Sequence, residues 1–371
     1  MNSLDQRIVA TYRLHCTADE AESLARAVAV EQSIEMDEGI VHDARLLEQV
    51  VGRVEAIEHN GHTAIATISF DPLLADGQLG QLLNLAFGSV SLYPGVRLLD
   101  LAVPDKVARL IGGPEFGIQG IREAVGVSHR ALLCGVLKPR GTAIPDLARL
   151  AGDLARGGAD LIKDDQNLAE ANLETFKSRV SACYAAIQKA KSDSGGRCLY
   201  LPHVSGAGPD LHQRLEFLRN NGFKAVLMCP WIMGLEHCKA LARQYGLIYM
   251  AHPVMAGCYT RPAEHGIAAP VLYGLLTRLG AADCSLFPGT SGRISVSDQQ
   301  YQQITEQLVS PLANLLSSMP ASGGGHTLET ILKTGSTDSP DRIVVVGGGL
   351  QVTPDSVADT TRQYHNALSR G

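Results

Sequence analysis

The sequence predicts a two-domain α/β protein, a ferredoxin-like α/β domain at the N-terminus followed by a (β/α)8 TIM barrel. Three observations lead there. The first hundred residues read strand, helix, two strands, helix, strand. From Ala124 onward short apolar runs alternate with helical patterns, eight strands in about 250 residues. The apolar runs end in polar or glycine clusters, where barrels of this kind carry their chemistry. The boundary is placed between residues 122 and 123, giving domains 1–122 and 123–371.

In the first domain, residues 8–16 are rich in β-formers, and Thr17 with Glu20 forms a capping box that opens a helix through Leu24 and Val28. Asn60-Gly61 joins residues 52–60 and 62–70 as a hairpin. A helix over 77–87 and a strand over 96–102 complete the unit.

In the second domain the eight strands are expected at 131–137, 159–163, 198–202, 225–228, 247–251, 283–287, 315–320 and 343–346. Helices are expected between several of them, at 144–155, 173–191 and 268–279. The second strand ends in Lys163-Asp164-Asp165-Gln166-Asn167. Buried unpaired, such groups would cost several kcal/mol each. Either they make a solvated turn, with Asp165 or Asn167 capping the next helix, or they form a site. The other strand ends favour a site: Lys138, Asp164, His203 and His252 would join Lys163 and Asp165 at one pocket mouth. Glycine clusters follow strands seven (Gly323-Gly324-Gly325) and eight (Gly347-Gly348-Gly349), where backbone amides approach a phosphate, assisted by the helix after Thr353-Pro354.

Composition narrows the class. With 45% hydrophobic and 19% charged residues in 371, the chain can bury a large core. A net charge of −6 without basic runs argues against nucleic-acid or membrane partners. No apolar run approaches a membrane span, and no secretory h-region is seen. The eight cysteines are scattered singly, which argues against zinc and disulfides and for a reducing cytoplasm.

Several motifs together resemble the Rubisco large subunit, and more closely the Rubisco-like (form IV) proteins of methionine salvage. They are Gly135-Val136-Leu137-Lys138-Pro139, Gly158 through Asp165, Ser322-Gly323-Gly324, Val346 through Gly349, Phe116 through Arg122, and the segments around Ala251-His252-Pro253 and Ala282 through Pro288. The resemblance spans nearly the whole chain and implies a homodimer with shared active sites. It implies roles as well. Lys138 matches a proton-moving lysine, and Lys163 one that becomes a carbamate and binds Mg²⁺ with Asp165. His252 matches a substrate-contacting histidine. Ser322, Gly323, Gly324, Gly347 and Gly348 match a phosphate site, and Glu31 and Asn84 match residues lent to the neighbouring subunit's site.

The departures from Rubisco are informative. Gln166 replaces the third metal carboxylate, leaving an uncharged oxygen ligand and putting Mg²⁺ use in question. Pro253 and Phe287 stand where cationic phosphate partners are expected. Residues 289–296 hold no lysine, and Arg293 is the nearest cation. Arg140 replaces a second lysine of strand one. These differences imply a one-phosphate substrate and enolisation without carboxylation. The family's enolases carry an extra lysine in the segment matching residues 91–96, which has none here; Arg97 is a poor base. The expectation is therefore a 5-methylthioribulose-1-phosphate isomerase, with Pro253, Met255 and Phe287 lining an apolar methylthio pocket. The alternatives are a 2,3-diketo-5-methylthiopentyl-1-phosphate enolase, a decarboxylase or hydrolase of a branched sugar-acid phosphate, and a catalytically silent relative.

Overall fold

The computed structural model of the chain describes residues 3–334, 339–351 and 355–369. The chain forms two compact units. One comprises Met1–Gly113, Met255–Gly280 and Ser310–Leu315; the other comprises Pro114–Val254, Ala281–Val309 and Leu316–Gly371.

The first unit contains β1 (Ile8–His15), β2 (Arg53–Asn60), β3 (Thr63–Phe70) and β4 (Val96–Ala102), with helices at Ala21–Glu31 and Leu79–Phe87. The strands lie in the antiparallel order β4-β1-β3-β2 of a ferredoxin-like sheet. Alternation along β1 buries Ile8, Ala10, Tyr12 and Leu14 on one face. The Thr17–Glu20 capping box forms: the Thr17 amide and hydroxyl donate to Glu20 Oε2 at 2.9 and 2.8 Å. A two-residue strand, Gly266–Ile267, adds parallel to β4. Arg97 fastens this added segment by donating to the carbonyls of Pro262, His265 and Thr260. The helix expected over 268–279 is instead a π-helix, Pro270–Leu276, running into a short α-helix, Thr277–Leu279. The Thr277 hydroxyl donates to the carbonyl of Leu272 five residues back, which favours the wider turn.

The second unit is the barrel. Its eight parallel strands are Leu132–Leu137, Leu161–Asp164, Leu199–Leu201, Ala225–Met228, Ile248–Ala251, Cys284–Pro288, Met319–Gly323 and Ile343–Val346. Each pairs with its neighbours in order, and the eighth pairs with the first. Strands three and four close the ring through Val204 N–H to Leu227 O and Leu227 N–H to Pro202 O, at 3.0 and 2.8 Å. Strand seven begins later than expected from the sequence. Pro311 and a left-handed Ala313 (φ 50°) hold the preceding segment in a turn, although its leucines mimic a strand.

Alternation sorts the barrel side chains. Leu132, Cys134, Val136, Leu161, Met250, Leu286, Ala321 and Val345 fill the interior. Leu133, Leu137, Ile162, Tyr249, Val344 and Val346 pack outward into the strand–helix layer. Extending the period of two assigns Lys163 to the inward series and Asp164 to the outward one. Asp164 is fully buried: Oδ2 accepts from Arg179 Nη1 at 2.6 Å and from the His203 amide at 2.9 Å, and Oδ1 accepts from Tyr200 Oη at 2.7 Å. Arg179 also pairs with Glu170.

Breaking a buried pair strands its partner's charge, at a cost of about 3–5 kcal/mol. Arg179→Met should therefore lower the melting temperature by roughly 10 °C. Adding Asp164→Asn should recover part of the loss. Thermal unfolding followed by circular dichroism checks both.

Candidate active site

At the C-terminal ends of the barrel strands lies a cavity of about 440 Å³, within the range of small-molecule sites. Lys138, Lys163, His252, Gly323 and Gly347 line it, each two residues beyond an inward-facing member of its strand. Asp165, Gln166, Pro253, Phe287 and Arg293 complete much of the wall.

The two lysines differ. Lys163 is 3% exposed and its Nζ donates to the Asp164 carbonyl at 2.9 Å. Burial lowers its pKa from that of a free lysine, against the opposing pull of Cys134, Asp165, Asp164 and Cys229. Lys138 is half-buried, and its Nζ lies over Gly347; a Cβ built on that glycine would stand 2.6 Å from it. A glycine is therefore what lets the amine occupy this place.

His252 is held neutral, its pKa lowered well below the ordinary value by burial and then by Lys163 and His203. The Val254 amide donates to its Nδ1 at 3.2 Å. A backbone N–H can only donate, so the ring proton of the neutral form sits on Nε2. Asp165 Oδ1 accepts from the amide and the side chain of Asn167, both at 2.9 Å. The following helix is capped further on, by Asn172 and not by Asp165 or Asn167: its Oδ1 accepts from the amides of Glu174 and Thr175.

The glycines form a cradle. Gly324 and Gly325 adopt φ of 92° and 74°, a region that favours glycine. Among the described residues, no acceptor meets the amides of Gly324, Gly325, Gly348 or Gly349. Open space surrounds the Cβ position of Gly348. Unpaired amides on two neighbouring strand ends suit an anion. Thr353 and Pro354, expected to open the helix behind this cradle, lie outside the described residues.

The polar cluster expected from the sequence is only partly assembled. Asp164 turns outward, as described above. His203 is buried and does not line the cavity, with Nδ1 3.4 Å from the Leu168 carbonyl and Nε2 3.5 Å from Cys229 Sγ. Met255 does not line the cavity; it is 51% exposed. Ser322 belongs to the outward series of strand seven, and its Oγ lies 3.0 Å from His326 Nε2. His326, which lines the cavity, was not singled out from the sequence; the histidine closing the glycine run was its one signal. Its Nε2 also lies 3.1 Å from the Ser322 carbonyl, an oxygen that can only accept. In the neutral ring this makes Nε2 the protonated nitrogen and leaves the Ser322 hydroxyl its own proton to donate. Glu31 and Asn84 belong to the first unit: Glu31 accepts from the Tyr93 hydroxyl at 2.9 Å, and Asn84 is exposed.

Among the described residues, no group of three His, Cys, Asp or Glu side chains forms a metal cluster. Lys163, Asp165 and Gln166 nevertheless share one wall. With Lys163 as a carbamate all three would offer oxygen, the donor that Mg²⁺ takes.

The pattern of the ribulose bisphosphate carboxylase large chain, catalytic domain, matches residues 117–370. The chain belongs to this family. It is a Rubisco-like protein. It is 36% identical to a 5-methylthioribulose-1-phosphate isomerase of Rhodospirillum rubrum, over 99% of each chain. It is 31% identical to a 2,3-diketo-5-methylthiopentyl-1-phosphate enolase of Geobacillus kaustophilus, over 97% of this chain and 91% of the other. The crystal structure of a Rubisco-like protein from Rhodopseudomonas palustris superposes with a TM-score of 0.87 at 33% identity, covering 98% of both chains.

Gly347→Ala should push the Lys138 amine aside. A displacement of about 1 Å at a reacting group costs on the order of 100-fold in rate. In protein that keeps the wild-type circular dichroism spectrum, kcat should fall by that order; an unchanged kcat would show that the placement of Lys138 does not matter.

Proposed function

We propose that this Rubisco-like protein is an isomerase of 5-methylthioribulose 1-phosphate, acting by 1,3-proton transfer through an enediolate. The observation that carries the reading is the joint lining of one cavity by Lys138, Lys163, His252 and the two glycine runs. One anion cradle suits one phosphate, and Pro253 and Phe287 leave an apolar wall where a bisphosphate would need cations. Phe287 is buried against Tyr301, with ring centroids 5.4 Å apart. Such a wall suits a methylthio group. The R. rubrum relative bears the name of this activity.

In this reading the amides of Gly324, Gly325, Gly348 and Gly349 hold the phosphate, while Ser322, which faces outward, meets His326 beside the cradle. Lys138 lifts a proton from the carbon beside the carbonyl and returns it nearby, as the 1,3-transfer requires. Lys163 stabilises the oxyanion that develops. His252 donates from Nε2 to a substrate oxygen. The lowered pKa of Lys163 favours the neutral amine, the form that takes up carbon dioxide as a carbamate and releases a proton. Lys163, Asp165 and Gln166 would then hold Mg²⁺, which when bound polarises the substrate oxygens. We carry forward the homodimer as well, with Glu31 and Asn84 supplied to the partner's site. Carboxylation is not part of this activity.

The enolase is the second reading, favoured by the G. kaustophilus relative. Against it, the segment 91–96 offers no lysine, and the Arg97 guanidinium is taken up by carbonyls.

Lys138→Met should reduce turnover by about 10²–10⁴-fold and abolish proton exchange between substrate and solvent. A folded variant that exchanges at the wild-type rate would overturn the assignment. EDTA separates the two forms of Lys163. Loss of activity that Mg²⁺ restores points to the carbamate, and indifference to the ammonium.

A further inference from the structure

The other end of the barrel holds a second cavity, of about 540 Å³, where strands three, four and five begin. Three cations converge on it from three places in the chain. Lys191 comes from the last turn of the helix Leu173–Ser194, Arg197 from the loop before strand three, and Lys224 from the residue before strand four.

Their surroundings do not neutralise them. Glu123 is the carboxylate among the described lining residues, and its Oε1 accepts from the Gln119 side chain at 2.8 Å. Arg197 donates to the backbone carbonyl of Glu123 at 3.1 Å and not to its carboxylate. Among the described residues, the ammonium group of neither lysine has a hydrogen-bond or ion-pair partner. Arg197 is also positioned: its Cδ lies 3.1 Å from where a Cβ would stand on Gly126, a helix-capping glycine at φ 72°. Lys191 is half-buried, and its pKa is lowered by burial against the opposing pull of Cys198, with Arg197 adding to the lowering. Tyr184, stacked on Phe223 with centroids 4.3 Å apart, gives a firm apolar side wall.

Arg197 and Lys224 are exposed and Lys191 is half-buried, so all three line the concavity within reach of a ligand from solvent. Like charges so arranged repel each other and gain most from a multiply charged partner. We propose that this cavity binds a small anion of two or more charges, a phosphate ester or a polyphosphate, at a site separate from the catalytic cavity.

Isothermal titration calorimetry with inorganic pyrophosphate tests this, comparing wild type with Lys191→Met/Lys224→Met. Neither lysine lines the catalytic cavity, so uptake there is common to both proteins and basal turnover should be unchanged. Wild type should bind one equivalent more than the double variant, or bind that equivalent about tenfold or more tightly. Added sodium chloride should weaken this component by screening. Lys191→Arg/Lys224→Arg should retain it. Equal stoichiometry and affinity in wild type and the methionine variant would overturn the proposal, as would loss of the extra equivalent in the arginine variant.

Discussion

The side chain of Asp164 holds the second barrel strand in register. Its carboxylate is fully buried and is met by Arg179, Tyr200 and the His203 amide. Because side chains alternate along a strand, fixing Asp164 outward fixes Lys163 inward. A slip of one residue would put a carboxylate in the cavity and bury the lysine among the helices. The charge of Arg179 makes that alternative costly, since it would lose the Asp164 carboxylate and keep only Glu170. The placement of Lys163 in the cavity thus rests on a polar network that lies wholly outside it.

The same alternation explains why two neighbouring aspartates have different functions. Asp164 anchors the strand, whereas Asp165, past the strand end, lines the cavity. It also explains the division among the strand-seven residues. Gly323 continues the inward series, while Ser322 faces outward and meets His326 where the glycine run turns back. The glycines make room for the cradle's bare amides and for the Lys138 amine over Gly347. Small residues at this end of the barrel therefore determine where the larger ones can act.

Much of this was legible in the sequence. Buried parallel strands are continuous apolar runs, so strands four and eight are recognisable to the residue. The inward lysines and His252 follow from strand ends. Other features were not legible, for physical reasons. The leucines at 312, 315 and 316 have the composition of a strand, and only the left-handed Ala313 shows that the chain is turning there. Composition could not decide which of Asp164 and Asp165 faces inward, because that depends on a one-residue boundary. Met255 looked like pocket lining because it follows His252 closely, but it belongs to the other compact unit. The π-helical turn of 270–276 depends on the Thr277 hydroxyl reaching back to Leu272, a contact that helix periodicity does not encode.

The central claim is that Lys138 moves a proton on a singly phosphorylated methylthio ketose, with Lys163 stabilising the oxyanion. Nuclear magnetic resonance of 5-methylthioribulose 1-phosphate incubated with the protein in deuterated water tests it most directly. The account predicts an isomeric ketose phosphate with its carbon skeleton and phosphate intact, carrying solvent deuterium at a carbon beside the carbonyl. Recovery of unchanged substrate without deuterium would contradict it.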